Sequence, residues 1–151
     1  MLQQPSVRDI TIQTLMMDGS AQEVIDASGT DEDASPTAEQ ARKSAGSLMR
    51  FCHKNADDLA RRNIRFECRA SSRVPFVHGF LMRGHKLLLT MLLMKNGKMA
   101  GTPNPYWDLD YPKTASTSRR RTVRYSFEAY EQWFDQQWED ARLVWPTEEG
   151  S

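Results

Sequence analysis

The chain of 151 residues is 39% hydrophobic and 26% charged, with eight glycines and seven prolines. This composition is typical of one soluble domain of mixed secondary structure, and it excludes collagen-like, low-complexity and wholly disordered chains. The sequence has no run of 18 apolar residues and no charged leader before an apolar stretch. We therefore expect neither a membrane span nor a signal peptide, and we expect a cytoplasmic protein.

Charge is distributed in three blocks, although 20 Lys and Arg balance 20 Asp and Glu. Residues 1–40 carry one basic and eight acidic side chains, residues 41–126 carry eighteen and five, and residues 127–151 carry one and seven. The basic middle of the chain predicts either a surface for an anionic partner or acidic ends that fold back on the centre.

The two cysteines and the absent motifs restrict the chemistry. Cys52 and Cys68 have no Cys-x-x-Cys spacing and no nearby His pair, so we expect neither a disulfide framework nor a zinc site, and both should pack as small apolar residues. Dinucleotide, P-loop, nucleophile-elbow and His-Glu-x-x-His motifs do not occur. The sequence therefore predicts no metal and no cofactor.

The first half of the chain predicts a strand, a loop and a long helix. Val7–Met17 begins with alternating apolar residues and stops at Asp-Gly, which is typical of a strand. Ala27–Ser35 is small, polar and acidic, so we expect a mobile loop. Ser35 as cap and Pro36 as first helical residue predict a helix that ends near Asn63. Its apolar stripe contains Ala38, Ala41, Ala45, Leu48, Cys52, Ala56 and Leu59.

The second half predicts further strands and a final helix. Apolar alternation and turn residues indicate a half-buried strand, a hairpin whose second strand is central, a long irregular loop and a short strand. An aromatic stripe, Phe127, Tyr130, Phe134 and Trp138, predicts a helix that is capped by Ser126 and covers the sheet. These elements are Ile64–Arg69, Phe76–Met82 with Leu87–Met94, a turn at Asn96-Gly97, Gly101–Ser118, Thr122–Tyr125 and Phe127–Val144.

This order of elements predicts a mixed α/β fold formed by a single domain over residues 1–151. We expect all five strands to join one mixed sheet, with both long helices packed on it.

The hairpin carries the sequence Pro-Phe-Val-His-Gly-Phe-Leu-Met-Arg-Gly-His-Lys over residues 75–86. With the element order around it, this segment resembles one half of the phospholipase D superfamily, and above all its single-copy, catalytically degenerate members. The resemblance covers most of residues 7–145. In active members a His-x-Lys-x-x-x-x-Asp motif supplies a nucleophile, a cation for the phosphate oxygens and a supporting acid.

Two of the three motif residues are absent when the pattern is laid on His78. Phe80 stands in place of the lysine and His85 in place of the aspartate. Without the cation and the supporting acid, catalysis by the family route should be slower by many orders of magnitude. His78 is then the one candidate catalytic residue, and a hydrogen-bonded histidine within the sheet is its structural alternative.

Three functions follow as hypotheses. The resemblance implies a non-catalytic regulatory or dimerising module that binds a phosphate-bearing ligand or nucleic acid. The second hypothesis is a homodimeric phosphodiesterase or nuclease that uses His78 from two chains, and the third is a structural partner-binding domain. A single half exposes apolar surface, so a homodimer is expected under the first two. The candidate anion-binding residues are Arg73, His85, Lys86, Arg119, Arg120 and Arg121.

Overall fold

A computed structural model describes residues 9–29, 36–75, 77–101 and 107–147 of the chain. The fold is mixed α/β, as predicted. In chain order its elements are β1 (Ile10–Met17), α1 (Gln22–Asp26), α2 (Ala38–Arg61), β2 (Ile64–Ser71), β3 (Val77–Met82), β4 (Lys86–Met91), β5 (Met94–Lys95), β6 (Lys98–Met99), β7 (Trp107–Asp110), α3 (Ser118–Asp140) and β8 (Arg142–Trp145). Within these ranges, no helix combines the length and apolarity needed to cross a membrane.

The strands form two three-stranded sheets and a short ribbon rather than the single predicted sheet. In the first sheet β1 runs parallel to β2, and β8 runs antiparallel to β2. In the second sheet β4 lies between β3 and β7, all antiparallel. The connection from β2 to β3 is tied to α1, because the Val74 N–H donates to Glu23 Oε1 at 2.9 Å. Because β1 and β2 lie in one sheet and β3 and β4 in another, the prediction of one continuous sheet is wrong.

The long helix α2 forms as predicted but starts later. Thr37 is its cap, and Thr37 and Gln40 complete a reciprocal capping box at 3.1 Å in each direction, which leaves Pro36 before the helix. The predicted cap Ser35 lies outside the described residues. Asn63 has a φ of 54°, the left-handed conformation expected where this helix ends. Leu48 packs towards Cys68 and Val144, so the predicted apolar face does cover the first sheet.

The C-terminal helix α3 starts earlier and ends earlier than predicted. Thr117, rather than Ser126, is its cap and accepts a hydrogen bond from the Arg120 N–H at 3.2 Å. Thr122–Tyr125 is therefore helical, and its prediction as a strand is wrong. The helix ends at Asp140, and the last three residues of the predicted range instead belong to β8, which pairs with β2.

The aromatic stripe lets α3 join the two sheets. Phe127 and Tyr130 pack on Leu87 of the second sheet. Near the C-terminal end of the helix, the Trp138 carbonyl accepts a hydrogen bond from Arg69 Nη1 on β2 at 2.8 Å. The predicted role of these aromatic residues as a cover for sheet is thus confirmed, and α3 covers parts of both sheets.

The structure corrects the predictions for the long loop and for the end of the hairpin, and part of each predicted loop lies outside the described residues. Trp107–Asp110 forms β7 instead of irregular loop, because it pairs with the central strand β4. The strand predicted to run to Met94 ends at Met91, and the predicted turn at Asn96-Gly97 joins β5 to β6. Residues 102–106, like residues 30–35 of the predicted acidic loop, lie outside the described part of the chain.

Candidate functional site

A cleft separates the edge of β1 from the edge of β3. On one side it contains a cavity of about 230 Å³, whose walls are Ile12–Met17 and Val77–Phe80 and whose floor is formed by α3. On the other side a cavity of about 410 Å³ extends to the start of α2. The floor of the smaller cavity consists of Tyr130, Trp133, Phe134 and Gln137. The residues that line both cavities are Leu15, Met16, Met17, Pro75 and His78.

His78 is half-buried where these two cavities meet. It lies on β3 opposite Thr90 of β4, and burial lowers the pKa of its imidazole, which favours the neutral form. The described residues that line the two cavities include no Lys, Arg, Asp or Glu. A phosphoryl-transfer site needs a cation at the phosphate oxygens, and the described lining of this cleft does not provide one.

The N-terminus of α2 reaches the larger cavity, but its backbone donors are occupied by the chain itself. The Ala38 N–H donates to Ser28 Oγ at 2.8 Å, and the Gln40 N–H donates to Thr37 Oγ1 at 3.1 Å. The Ala41 N–H bonds the Thr37 carbonyl at 3.0 Å. These three donors are not available to an anion in the cleft.

The predicted anion-binding residues do not surround His78. Lys86 lies four positions along β4 from Thr90, the partner of His78, and this separation corresponds to about 13 Å. Its ammonium contacts Asp108 at 2.9 Å and Asp110 at 3.4 Å on β7, and these contacts raise the pKa of Lys86. A cation held by two carboxylates has little capacity left for a ligand.

Arg73 and His85 lie apart from each other on exposed connections. Arg73 is in the bend after β2, where its N–H donates to Ser71 Oγ at 3.2 Å. His85 is in the turn between β3 and β4, and its carbonyl accepts from the Tyr111 N–H at 2.8 Å. Neither residue lines a cavity with His78.

The three consecutive arginines lie in the first turns of α3 and are exposed. We refer to Arg119, Arg120 and Arg121 as the arginine cluster. Arg120 Nη1 donates to Thr114 Oγ1 at 2.6 Å and to Ser116 Oγ at 3.1 Å. Arg121 bonds the Ala115 carbonyl at 3.3 Å. Within the described residues, no carboxylate forms an ion pair with any of the three.

Part of this cluster borders the acidic pair on β7. Arg119 and Arg120 line a surface depression of about 360 Å³ together with Asp108 and Asp110. The fold thus brings Lys86, Arg119 and Arg120 into one neighbourhood, which is separate from the His78 cleft. The predicted residues therefore lie in at least two places, a basic surface and the cleft that contains His78, and do not form one site.

Tyr125, which is 70% exposed on α3, was not among the residues predicted from the sequence. It lies four residues after Arg121, so the two side chains are neighbours on the solvent face of the helix. The sequence did hold a signal for this surface. Residues 111–127 include five basic side chains and no acidic one, which marks a cationic segment more clearly than the arginine run alone.

The cysteines and possible metal ligands offer no further site. Burial raises the pKa of Cys68 to about 11 and also raises that of Cys52, so both thiols stay protonated and pack as small apolar groups, as predicted. In the part of the chain that the structure describes, no three His, Cys, Asp or Glu side chains are grouped to hold a metal ion.

Comparison of this chain with protein-family models, with curated proteins and with solved structures gives no match.

Proposed function

We propose that this chain is a non-catalytic module that binds a phosphate-bearing ligand at the start of α3, and that the ligand is single-stranded nucleic acid. The observation that carries the proposal is the exposed arginine cluster, which has no carboxylate partner among the described residues. Guanidinium groups bind phosphate oxygens in a bidentate geometry, so this surface suits such a ligand.

The position of the arginine cluster on the helix favours an anion. The N-terminus of a helix carries a partial positive charge, and the first turn of α3 contains no acidic residue to balance it. Each cation there is unfavourable by about 0.3–1 kcal/mol at low salt. A bound phosphate would remove this repulsion, which is a gain that scattered surface arginines do not offer.

Tyr125 supports nucleic acid over a small phosphate. Its ring is 70% exposed one helical turn after Arg121. An aromatic side chain beside arginines provides a stacking surface for a base while the arginines bind the adjoining phosphates. The hydroxyl groups of Thr114 and Ser116 hold the guanidinium of Arg120 in place, which lowers the entropy lost on binding.

The non-catalytic part of the proposal rests on the His78 cleft. The described walls of that cleft carry no charged side chain, so nothing in them would stabilise a transferring phosphoryl group. The proposal agrees with what the resemblance to degenerate phospholipase D halves implies. A cytoplasmic location also stays a prediction.

Dimerisation is a further part of the proposal. Phe80 and Met82 are 58% and 48% exposed on the same face of β3, where a second copy could cover them. We expect sedimentation velocity to show a dimer whose dissociation constant rises on Met82→Glu. A monomer at all concentrations would exclude this part and leave ligand binding intact.

Fluorescence anisotropy with a labelled single-stranded oligonucleotide tests the binding proposal. Neutralising phosphates releases condensed counterions, so the affinity should fall steeply as salt rises. Replacing the whole cluster by alanine should weaken binding by tenfold or more. It should also reduce the slope of log affinity against log salt by about 2, since each lost contact with a single strand contributes about 0.7.

A matched control separates the effect of losing the arginine cluster from the effect of changing the net charge. Arg61, Arg62 and Arg65 are also exposed, and their joint replacement by alanine changes the charge equally. This control should bind as the wild type does. Equal losses in both variants would mean nonspecific attraction, and binding of inorganic phosphate but no oligonucleotide would replace nucleic acid by a small ligand. Salt-independent binding or none, with the fold intact, would overturn the proposal.

A further inference from the structure

The edges of β1 and β3 face each other across the 230 Å³ cavity, and each strand is at the edge of its own sheet. The walls include six consecutive residues, Ile12–Met17, and four consecutive residues, Val77–Phe80. Side chains alternate between the two faces of a strand, so a wall of consecutive residues is a wall of backbone. We call this space the β1–β3 slot.

Backbone donors and acceptors of β1 point into the slot. The Ile10 N–H donates to the Asn63 carbonyl and the Asp18 N–H to the Ser71 carbonyl, so even-numbered residues of β1 bond to β2. Because successive backbone groups point to opposite edges, those of Gln13 and Leu15 point away from β2. Within the described ranges, no backbone hydrogen bond joins β1 to β3.

The same alternation applies to β3. The His85 N–H donates to the Met82 carbonyl in the turn, which places the even-numbered residues of β3 in register for bonding to β4. The backbone groups of Val77 and Gly79 then point towards β1. Two edges whose outward backbone groups have no partner strand among the described residues, one on each side of a partly buried cleft, are complementary to a third strand.

The surroundings of the slot define the side chains that such a strand would carry. The aromatic rings of Tyr130, Trp133 and Phe134 cover one face of the slot, and the other face opens into the larger cavity at the start of α2. No charged residue is found in the described lining of either cavity. A guest strand therefore needs uncharged side chains on both faces. Ile12–Met17 extends over about 20 Å, which is the length of six residues.

We propose that the β1–β3 slot binds an extended, uncharged peptide segment of a partner protein. The segment adds as a strand to both sheets at once and joins them into one. Main-chain hydrogen bonds to β1 and β3 supply affinity, and the aromatic floor selects apolar side chains. This site is separate from the arginine cluster, so the inference does not depend on the proposed ligand binding. It shares Phe80 with the face of β3 that is proposed for dimerisation, and Met82→Glu, which lies outside the slot lining, separates the two.

Hydrogen exchange tests the proposal with an acetylated, amidated six-residue peptide of alternating Val and Thr as the probe. Pairing through backbone is tolerant of sequence, so a neutral, strand-forming probe is sufficient. In the free protein the amides of Gln13, Leu15 and Gly79 should exchange quickly, because none of the described strands pairs with these edges. Adding the peptide should slow their exchange at least tenfold, and a Glu/Lys version of the peptide should not.

Two proline variants on one edge provide the matched comparison. Gln13→Pro removes an amide that lines the slot, whereas Thr11→Pro removes the equivalent amide two residues earlier, outside the lining. Neither amide bonds to β2, so both variants should fold. Gln13→Pro should weaken peptide binding by about tenfold or more, and Thr11→Pro should leave it unchanged.

Several results would overturn the proposal. Slow exchange at Gln13 and Gly79 in the free protein would mean that β1 and β3 already pair. Absence of binding, binding without protection of these amides, or equal losses in the two proline variants would exclude strand addition. If Gln13→Pro does not fold, the exchange measurement on the wild-type protein still decides between these outcomes.

Discussion

Arg69 lies over the ring of Trp138, with its guanidinium carbon 5.0 Å from the ring centroid, and also donates a hydrogen bond to the Trp138 carbonyl at 2.8 Å. Arg69 is on β2 and Trp138 is near the end of α3. One side chain thus fixes the helix to the first sheet by two kinds of contact. Both depend on the planar guanidinium, which combines stacking with directed donors.

Arg69→Lys should therefore lower the free energy of unfolding by about 1–2 kcal/mol, because an ammonium cannot stack and donate in this geometry. Arg65→Lys is the control, since Arg65 is exposed on the same face of β2, and it should change stability by less than about 0.5 kcal/mol. Urea titration measures both. Equal effects would show that the contact with Trp138 contributes nothing.

Phe127 anchors α3 on the second sheet. Its side chain is 1% exposed, touches the cluster around Leu87 and meets the Tyr111 ring edge-on with centroids 5.2 Å apart. Phe127→Ala should cost about 3–5 kcal/mol through lost burial and the cavity that remains. Phe51→Ala on α2 removes the same atoms from a side chain that is 49% exposed, so it should cost below about 1 kcal/mol. Similar midpoints in thermal unfolding would contradict this assignment of the core.

Elements set by local sequence could be predicted, whereas their assembly into sheets could not. The apolar stripe of α2, the alternation of β2 and the turn at Asn96-Gly97 are local patterns, and each corresponds to the observed element. Thr122–Tyr125 was misassigned because its β-branched residues favour a strand. The Thr117 cap and the burial of Phe127 on the same helix override that preference.

For the candidate site residues, too, the sequence could not predict which of them the fold brings together. The sequence marks His78, Lys86 and the arginines as chemically interesting, but their separation depends on which strands pair. Lys86 forms ion pairs with Asp108 and Asp110 because β7, which carries them, pairs with β4. No local sequence pattern specifies this long-range strand pairing. The cleft between β1 and β3 exists because these strands are at the edges of two different sheets. The alternation of apolar and polar residues along the strands would fit a single sheet equally well.

His78 makes stability depend on pH. Burial lowers its pKa in the folded state below the usual value of 6.5, so below that value the unfolded chain binds more protons than the folded one. The stability that His78 contributes is fully present above about pH 7 and is lost as the pH falls through 6.5 towards the lowered pKa. Urea titrations at pH 7.5 and 5.5 should show a larger loss for the wild type than for His78→Gln. The same loss in both proteins would exclude His78 as the source.

The His78 cleft should not hydrolyse phosphodiesters. A neutral imidazole could attack phosphorus, but the negative charge that develops on the phosphate oxygens would meet no cation in the described lining, and Phe80 stands two residues further along β3. We expect no turnover above buffer with a chromogenic phosphodiester or with single- or double-stranded nucleic acid, at any protein concentration. His78→Ala and wild type should be indistinguishable in this assay, while both still bind oligonucleotide through the arginine cluster. Turnover that rises with the square of protein concentration and disappears in His78→Ala would instead establish a homodimeric phosphodiesterase, with the missing cation supplied by the second copy.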